Sequence, residues 1–268
     1  MKLSRKIAIV GLSVLALTMA ACTKTDTNEA GPDTWDSMEE KGEVVMGLDD
    51  TFAPMGFRDP AGNLVGFDVD LATEVGKRIG LTIKFQPIDW SLKETELQAG
   101  NIDLIWNGYT ITPAREEKVA FSKPYLENSQ IIVTMADSPI NSKADLKDGS
   151  VAVQKESSAY EAVMAESDFV DSLGEDLVQF DTNNEAFMDL EAKRVDAIVV
   201  DEVLARYYMK LRGEEQYKVL EDNFGDELYG IGIRKGDVTL LEKVNKAMDD
   251  MKADGSYDSI YAKWFSEN

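Results

Sequence analysis

The chain alternates short apolar runs with stretches whose apolar residues return every three or four positions. Val44 to Leu48 is one run, ending at Asp49-Asp50. Phe67, Leu71, Val75 and Ile79 recur every four residues, the stripe of an amphipathic helix. Leu81 to Phe85 then predicts a strand, Ser91 to Ala99 a helix and Ile102 to Trp106 a strand. A second set begins near Gln130, with strands predicted at Ile131 to Met135, Val151 to Gln154, Leu177 to Phe180 and Ala197 to Val200. Between them Ser158 to Ala165, Asn184 to Ala192 and Glu202 to Leu211 read as helices, the first with capping-box spacing at Ser158 and Glu161. Leu241, Val244, Met248 and Met251, then Tyr257 to Phe265, close the chain as helix. Such alternation implies βαβ units and mostly parallel sheets, here two α/β lobes of roughly a hundred residues each. No repeat, coiled coil or low-complexity segment competes with this reading.

Ahead of these elements lies a different pattern. Lys2, Arg5 and Lys6 form a positive cluster, Ile7 to Ala21 is apolar, and Ala20-Ala21 precedes Cys22. This is the layout of a secretory signal peptide over 1–21, with an apolar stretch short for a spanning helix. Met19-Ala20-Ala21-Cys22 resembles a bacterial lipobox, with Met where Leu is usual, which implies cleavage before Cys22 and lipid on its thiol. Several acyl chains anchor stably where one is marginal. Thr23 to Asp33 is polar, contains Gly31-Pro32 and reads as a flexible tether.

Composition narrows the chemistry. The 268 residues carry 28 Lys+Arg against 50 Asp+Glu, net −22, which argues against nucleic acid and against a polybasic membrane surface. Removing 1–21 takes three cations and no acid, leaving 25 basic and 50 acidic residues. There is no histidine, so Ser-His-Asp and Cys-His catalysis, histidine-ligated zinc and imidazole switching are excluded. The single cysteine excludes an intrachain disulfide or a CxxC pair. No metal site and no cofactor is expected.

Open α/β sheets bind ligands at the carboxyl ends of their strands, so the polar residues after each apolar run are the first candidates. They are Asp49-Asp50-Thr51-Phe52, Trp90, the stretch Asn107-Gly108-Tyr109-Thr110-Ile111-Thr112-Pro113-Ala114-Arg115, and Asp201. Each has a plain structural reading. Asp49 and Asp50 suit a turn, Phe52 and Trp90 suit a core or its rim, and Thr112-Pro113 suits a helix start. Asp201 suits a cap for the helix at Glu202. Arg115 is the oddity, because a cation is disfavoured near a helix N-terminus. Together the set complements a free α-amino acid. Arg115 offers a fork for a carboxylate, backbone N–H groups near Gly108, Thr110 and Ser158 add anion donors, and Asp201 offers a carboxylate for an ammonium.

At these residues the sequence resembles the family 3 extracellular solute-binding proteins, the amino-acid-capturing components of bacterial ABC importers. The landmarks run from Val44 to Phe265: Asp49…Phe52-Ala53-Pro54, Val65-Gly66-Phe67-Asp68-Val69-Asp70-Leu71, Gly108…Thr110-Ile111-Thr112…Arg115, Phe121-Ser122…Pro124-Tyr125, Arg194-Val195-Asp196-Ala197 with Asp201, Tyr229-Gly230-Ile231, Asp254-Gly255 and Lys263-Trp264-Phe265. The resemblance implies a two-lobed, type II periplasmic-binding-protein-like α/β fold. Each lobe would be a mostly parallel sheet flanked by helices, with two hinge crossovers. Residues 34–126 plus 229–268 would form lobe 1 and 127–228 lobe 2. It also implies a monomer without enzymatic activity that takes a free amino acid, serves a membrane permease, and is held to the bilayer outside the cytoplasm through Cys22.

Carried over residue by residue, Arg115 and Thr110 would bind the ligand carboxylate. Gly108 and Asp201 would take the ammonium, Phe52 and Trp90 would flank the side chain, and Asp49 would meet its polar end. Asn107 would touch the ligand, and Gln154, Ser157 and Ser158 would donate from the second lobe. Lys155-Glu156 departs from the Gly-Ser/Thr of several relatives in that loop. Asp49, Asp50, Glu94 and Glu96 make the side-chain end acidic, which favours arginine, lysine, ornithine or glutamine, with cystine as an alternative. A dehydratase-type enzyme or a sensory lipoprotein on the same scaffold are the readings from other classes.

Overall fold

The computed structural model describes residues 31–266. The signal segment, Cys22 and most of the tether lie outside that range. Asp33, at the tether's end, is docked: its carboxylate accepts the Trp35 and Thr239 N–H groups, each at 2.9 Å.

Helix α1 (Trp35–Lys41) ends on Gly42 and feeds strand β1 (Glu43–Leu48). A three-stranded meander follows, β2 (Thr51–Phe52), β3 (Gly56–Arg58) and β4 (Leu64–Val65). Helix α2 (Phe67–Ile79) presents the four-residue stripe inward, with Phe67, Leu71 and Val75 buried. Next come β5 (Thr82–Pro87), a 3-10 turn at Trp90–Leu92, α3 (Lys93–Ala99), β6 (Leu104–Ile105), the single-turn α4 (Pro113–Glu116) and β7 (Ala120–Phe121). Strand β8 (Leu126–Met135) leads into β9 (Val151–Gln154), α5 (Ser158–Ala165), α6 (Ser167–Ser172), β10 (Val178–Phe180), α7 (Asn183–Glu191), β11 (Ala197–Asp201) and α8 (Glu202–Arg212). The long β12 (Tyr217–Tyr229) then returns the chain to β13 (Gly232–Ile233), α9 (Val238–Asp254) and α10 (Ser256–Phe265).

Two five-stranded sheets result, ordered β5-β1-β6-β13-β7 and β10-β9-β11-β8-β12. In each, the βαβ-linked strands pair in parallel, as the alternation predicts. Each also carries an antiparallel half, where β13 meets β6 and β7, and where β8 meets β11 and β12. This is a mixed α/β architecture whose antiparallel half follows from connectivity. Strands β8 and β12 pair side by side and join the two sheets at Leu126 and Tyr229, which are partners in register. The C-terminal stripe is buried as expected at Val244, Met248 and Met251, and differs only at its first member. There Leu240 is buried, and Leu241 is only half-buried. Among the described residues, no helix is long and apolar enough to cross a membrane.

Candidate ligand site between the two sheets

The loop after β6 is shaped by its glycine. Gly108 has φ +58°, and a Cβ there would stand 2.9 Å from the Phe52 ring and 3.2 Å from that of Tyr229. No other residue fits without displacing an aromatic. The Gly108 N–H donates to Asp68 Oδ2 at 2.8 Å, and the Tyr125 hydroxyl donates to the same oxygen at 2.9 Å. Asp68 thus pins the loop from beneath while wholly buried. Burial pushes its pKa up to about 7 from 3.8, against the lowering effect of those two donors.

That shift has a defined sign. A carboxyl held higher in the folded chain than in the unfolded one adds stability below its ordinary range and loses it as pH climbs through about 7. The full swing is up to about 4 kcal/mol. Asp68→Asn removes the titration, so its unfolding free energy should change less than the parent's between pH 4.5 and 7.5. Denaturant melts at several pH values test this, and parallel curves for the two proteins would exclude Asp68 as the source.

Arg115 sits on α4, whose cap is as expected: Thr112 Oγ1 accepts the Arg115 N–H. Its guanidinium is 2% exposed and lies 4.8 Å over the Tyr109 ring, which stacks on Phe121. Three N–H groups are committed: Nε to Glu161 Oε1 at 3.0 Å, Nη1 to the Thr110 carbonyl at 3.1 Å and Nη2 to the Glu156 carbonyl at 3.3 Å. A guanidinium has five, so two N–H groups remain for another acceptor. Lys93, on α3, reaches the same Glu156 carbonyl at 2.8 Å. Burial and the nearby Arg115 charge lower the Lys93 pKa to about 8.

The opposite end is acidic. Asp201 stands at the first position before α8 but makes no capping bond. Its Oδ1 instead accepts from Asn128 Nδ2 (2.8 Å), Gln130 Nε2 (3.0 Å) and the Tyr229 hydroxyl (2.6 Å). Burial, reinforced by the charge of Glu227, raises its pKa well above the usual range. Thr110 and Ser158 span the two ends. Their hydroxyls are 3.0 Å apart, Ser158 Oγ meets Gln130 Nε2 at 3.1 Å, and the Thr110 carbonyl holds Arg115. Arg115 and Asp201 therefore belong to one continuous polar network across the sheets.

The α5 cap differs from expectation. Ser157 rather than Ser158 is the N-cap, its hydroxyl accepting from the Tyr160 N–H, and Glu161 turns to Arg115 and Thr112. Ser158 is thereby free to join Thr110. Of the unusual pair in this loop, Lys155 points out to Asp181, whereas Glu156 contributes its carbonyl from a backbone at φ +52°.

A third corner gathers around Asp49. Its Oδ1 takes the Thr51 N–H and hydroxyl, and its Oδ2 accepts from Gln154 Nε2 at 2.8 Å across the sheets. Gln154 Oε1 in turn accepts from Asn183. Burial raises the Asp49 pKa against the pull of those donors. Asn107 accepts the Asp49 N–H through its side-chain oxygen, and its Nδ2 is buried without a partner. The expected acidic cluster does not form here. Asp50 pairs with Arg58, Glu94 accepts from the Tyr109 hydroxyl, and Glu96 binds Asn101. Phe52 packs on Gly108, while Trp90 sets its edge against Tyr109 with Lys93 over its face. The sequence assigned no site role to Glu227, Glu161, Lys93, Asn128 or Gln130. A hint lay in Asn128 and Gln130, alternate polar residues leading into an apolar run.

Residues 44–267 match the family described as bacterial extracellular solute-binding proteins, family 3. The L-cystine-binding protein TcyJ of Escherichia coli (strain K12) is 29% identical, over 96% of this chain and 94% of its own length. The lysine/arginine/ornithine-binding periplasmic protein of the same organism is 31% identical, over 97% and 95%. Among solved structures, an ABC uptake transporter substrate binding protein from Streptococcus pneumoniae with bound histidine aligns with TM-score 0.85 and 40% identity, covering 88% of this chain and 97% of that one.

Proposed function

The chain belongs to the family 3 bacterial extracellular solute-binding proteins, and from that premise we propose that it captures a free polar amino acid and hands it to an ABC permease. One observation carries the reading. Two buried cations, Arg115 and Lys93, grip one end of a polar network whose other end holds two carboxylates, with the Thr110 and Ser158 hydroxyls between. That separation of charge complements a zwitterion. The uncommitted N–H groups of Arg115 take the ligand carboxylate, and Asp201 takes the ammonium. Asp49, Gln154 and Asn183 meet the side chain, a buried carboxylate with amides that favours a cationic or amide group.

In this reading residues 34–126 plus 229–268 form one lobe and 127–228 the other. The ligand docks on the first, and the second closes over it. Closure is selected only through contacts the closed form adds, which Asp201, Gln154 and Ser158 supply. The protein binds without chemistry and acts as a monomer. Residues 1–21 are removed, and Cys22 carries the lipid that keeps it at the outer face of the membrane.

A thermal-shift screen of the twenty amino acids plus ornithine and cystine tests both class and ligand. At a hundredfold excess over Kd a ligand adds about 2.7 kcal/mol, a rise in Tm of roughly 5–10 °C at this size. Arginine, lysine, ornithine or glutamine should give it, and glutamate should not. A screen with no shift at all would refute amino-acid capture, and mass spectrometry of recovered ligand should return it unaltered.

A further inference from the structure

Two carboxylates stand at the anionic end, and they share their donors. Glu227 Oε1 accepts from Thr110 Oγ1 at 2.9 Å, Asn128 Nδ2 at 2.6 Å and Gln130 Nε2 at 2.9 Å. The same two amides bind Asp201 Oδ1, which also takes the Tyr229 hydroxyl. Gln130 is 1% exposed, and the Oε1 of its amide is buried with no hydrogen-bond partner. Two carboxylates thus converge on the same two amide donors, and the amide beside them keeps an unpartnered acceptor, so the corner is rich in acceptors for the N–H groups of an ammonium.

Among the described residues, no cation bonds either acid. The charged and titratable groups facing the pair are few. Tyr229 stays a neutral phenol, because burial raises its pKa well above 10.0. Glu202, on α8, is held by Arg206, and Asp226, on β12, takes the Ser129 hydroxyl. Arg115 approaches only as far as the Thr110 carbonyl. Like charges this close, one of them buried, do not both stay ionised without a counter-charge. Glu227 is half-buried and lines an outer groove of about 660 Å³ with Glu127, Asn128 and Asp226, so a proton has a route to water.

We infer that Glu227 joins Asp201 in the ammonium subsite, that Asp201 carries a proton beside the Glu227 carboxylate before ligand docks, and that docking of an α-ammonium expels that proton to solvent. The pair passes from one negative charge to two as the ligand's positive charge arrives. The inference rests on the amino-acid-binding reading above.

Calorimetric titration of the protein with arginine, lysine, ornithine, glutamine and cystine as probes, at pH 6.5 in phosphate and in imidazole, counts the protons. We expect about one proton released per ligand bound, and a Kd that tightens up to roughly tenfold from pH 6 to 7. Glu227→Gln should release less than half a proton and flatten that dependence. Binding with the same heat in both buffers overturns the inference and leaves solute binding standing, as does full proton release from Glu227→Gln. No heat from any probe removes the solute-binding reading, and this inference with it.

Discussion

Arg115→Gln is expected to weaken amino-acid binding by two orders of magnitude or more. Removing one partner of a buried charge pair costs about 2–5 kcal/mol, which is thirtyfold to several thousandfold in Kd. Arg115 belongs at the upper end. It is 2% exposed, fixed by three bonds and a ring face, and so positioned before ligand arrives. A glutamine amide is shorter and has two donors rather than five. The matched control is Glu161→Gln. The Glu161 side chain is 35% exposed, so its ion pair with Arg115 is screened and contributes little. That variant should bind within a few-fold of the parent, or more tightly if Glu161 competes with the ligand carboxylate. Calorimetry showing Arg115→Gln at parental affinity would remove the carboxylate assignment.

Asp201→Asn should move affinity and stability in opposite directions. An asparagine Oδ1 still accepts from Asn128, Gln130 and Tyr229, so the fold keeps its bonds. What disappears is the titration of a buried carboxyl beside Glu227. The folded-state pKa of Asp201 is raised, so the carboxylic acid adds stability below the ordinary carboxylate range, and that stability is lost as pH rises. The variant should therefore match or exceed the parent's Tm without ligand, by a margin that widens toward alkaline pH. Its affinity should fall by about 2–5 kcal/mol, because the ammonium loses a desolvated counter-charge. A variant that binds normally would refute the assignment. One that loses binding and stability together would show that Asp201 is structural.

The legible parts of the site share a property: each polar residue interrupts an apolar context. Asp49, Gly108, Thr110 and Asp201 all follow buried runs, where a polar group needs a reason. Arg115 stood out because its position on a helix's first turn is electrostatically wrong for a cation. Glu227 had no such contrast, since Glu221, Asp222, Asp226 and Glu227 sit together in a chain with 50 acids. Lys93 looked like any lysine on a helix, because nothing local reveals a neighbour from another sheet. The capping-box spacing selects Ser158 over its neighbour, and one bond, from the Tyr160 N–H to Ser157 Oγ, moves the cap to Ser157. In the fold, periodicity located the helices and the parallel strands. It did not expose the antiparallel halves, whose pairing depends on how long strands return rather than on local pattern.

The Glu156 contact has a consequence for how this loop tolerates change. Arg115 and Lys93 both hold its main-chain oxygen, and its backbone lies at φ +52°. What crosses between the sheets at this point is a peptide group, which every amino acid supplies. Evolution, or a designer diversifying the loop, is therefore free to swap the side chain at 156. Glycine, asparagine and aspartate are the best tolerated, because they occupy that left-handed geometry at the least cost.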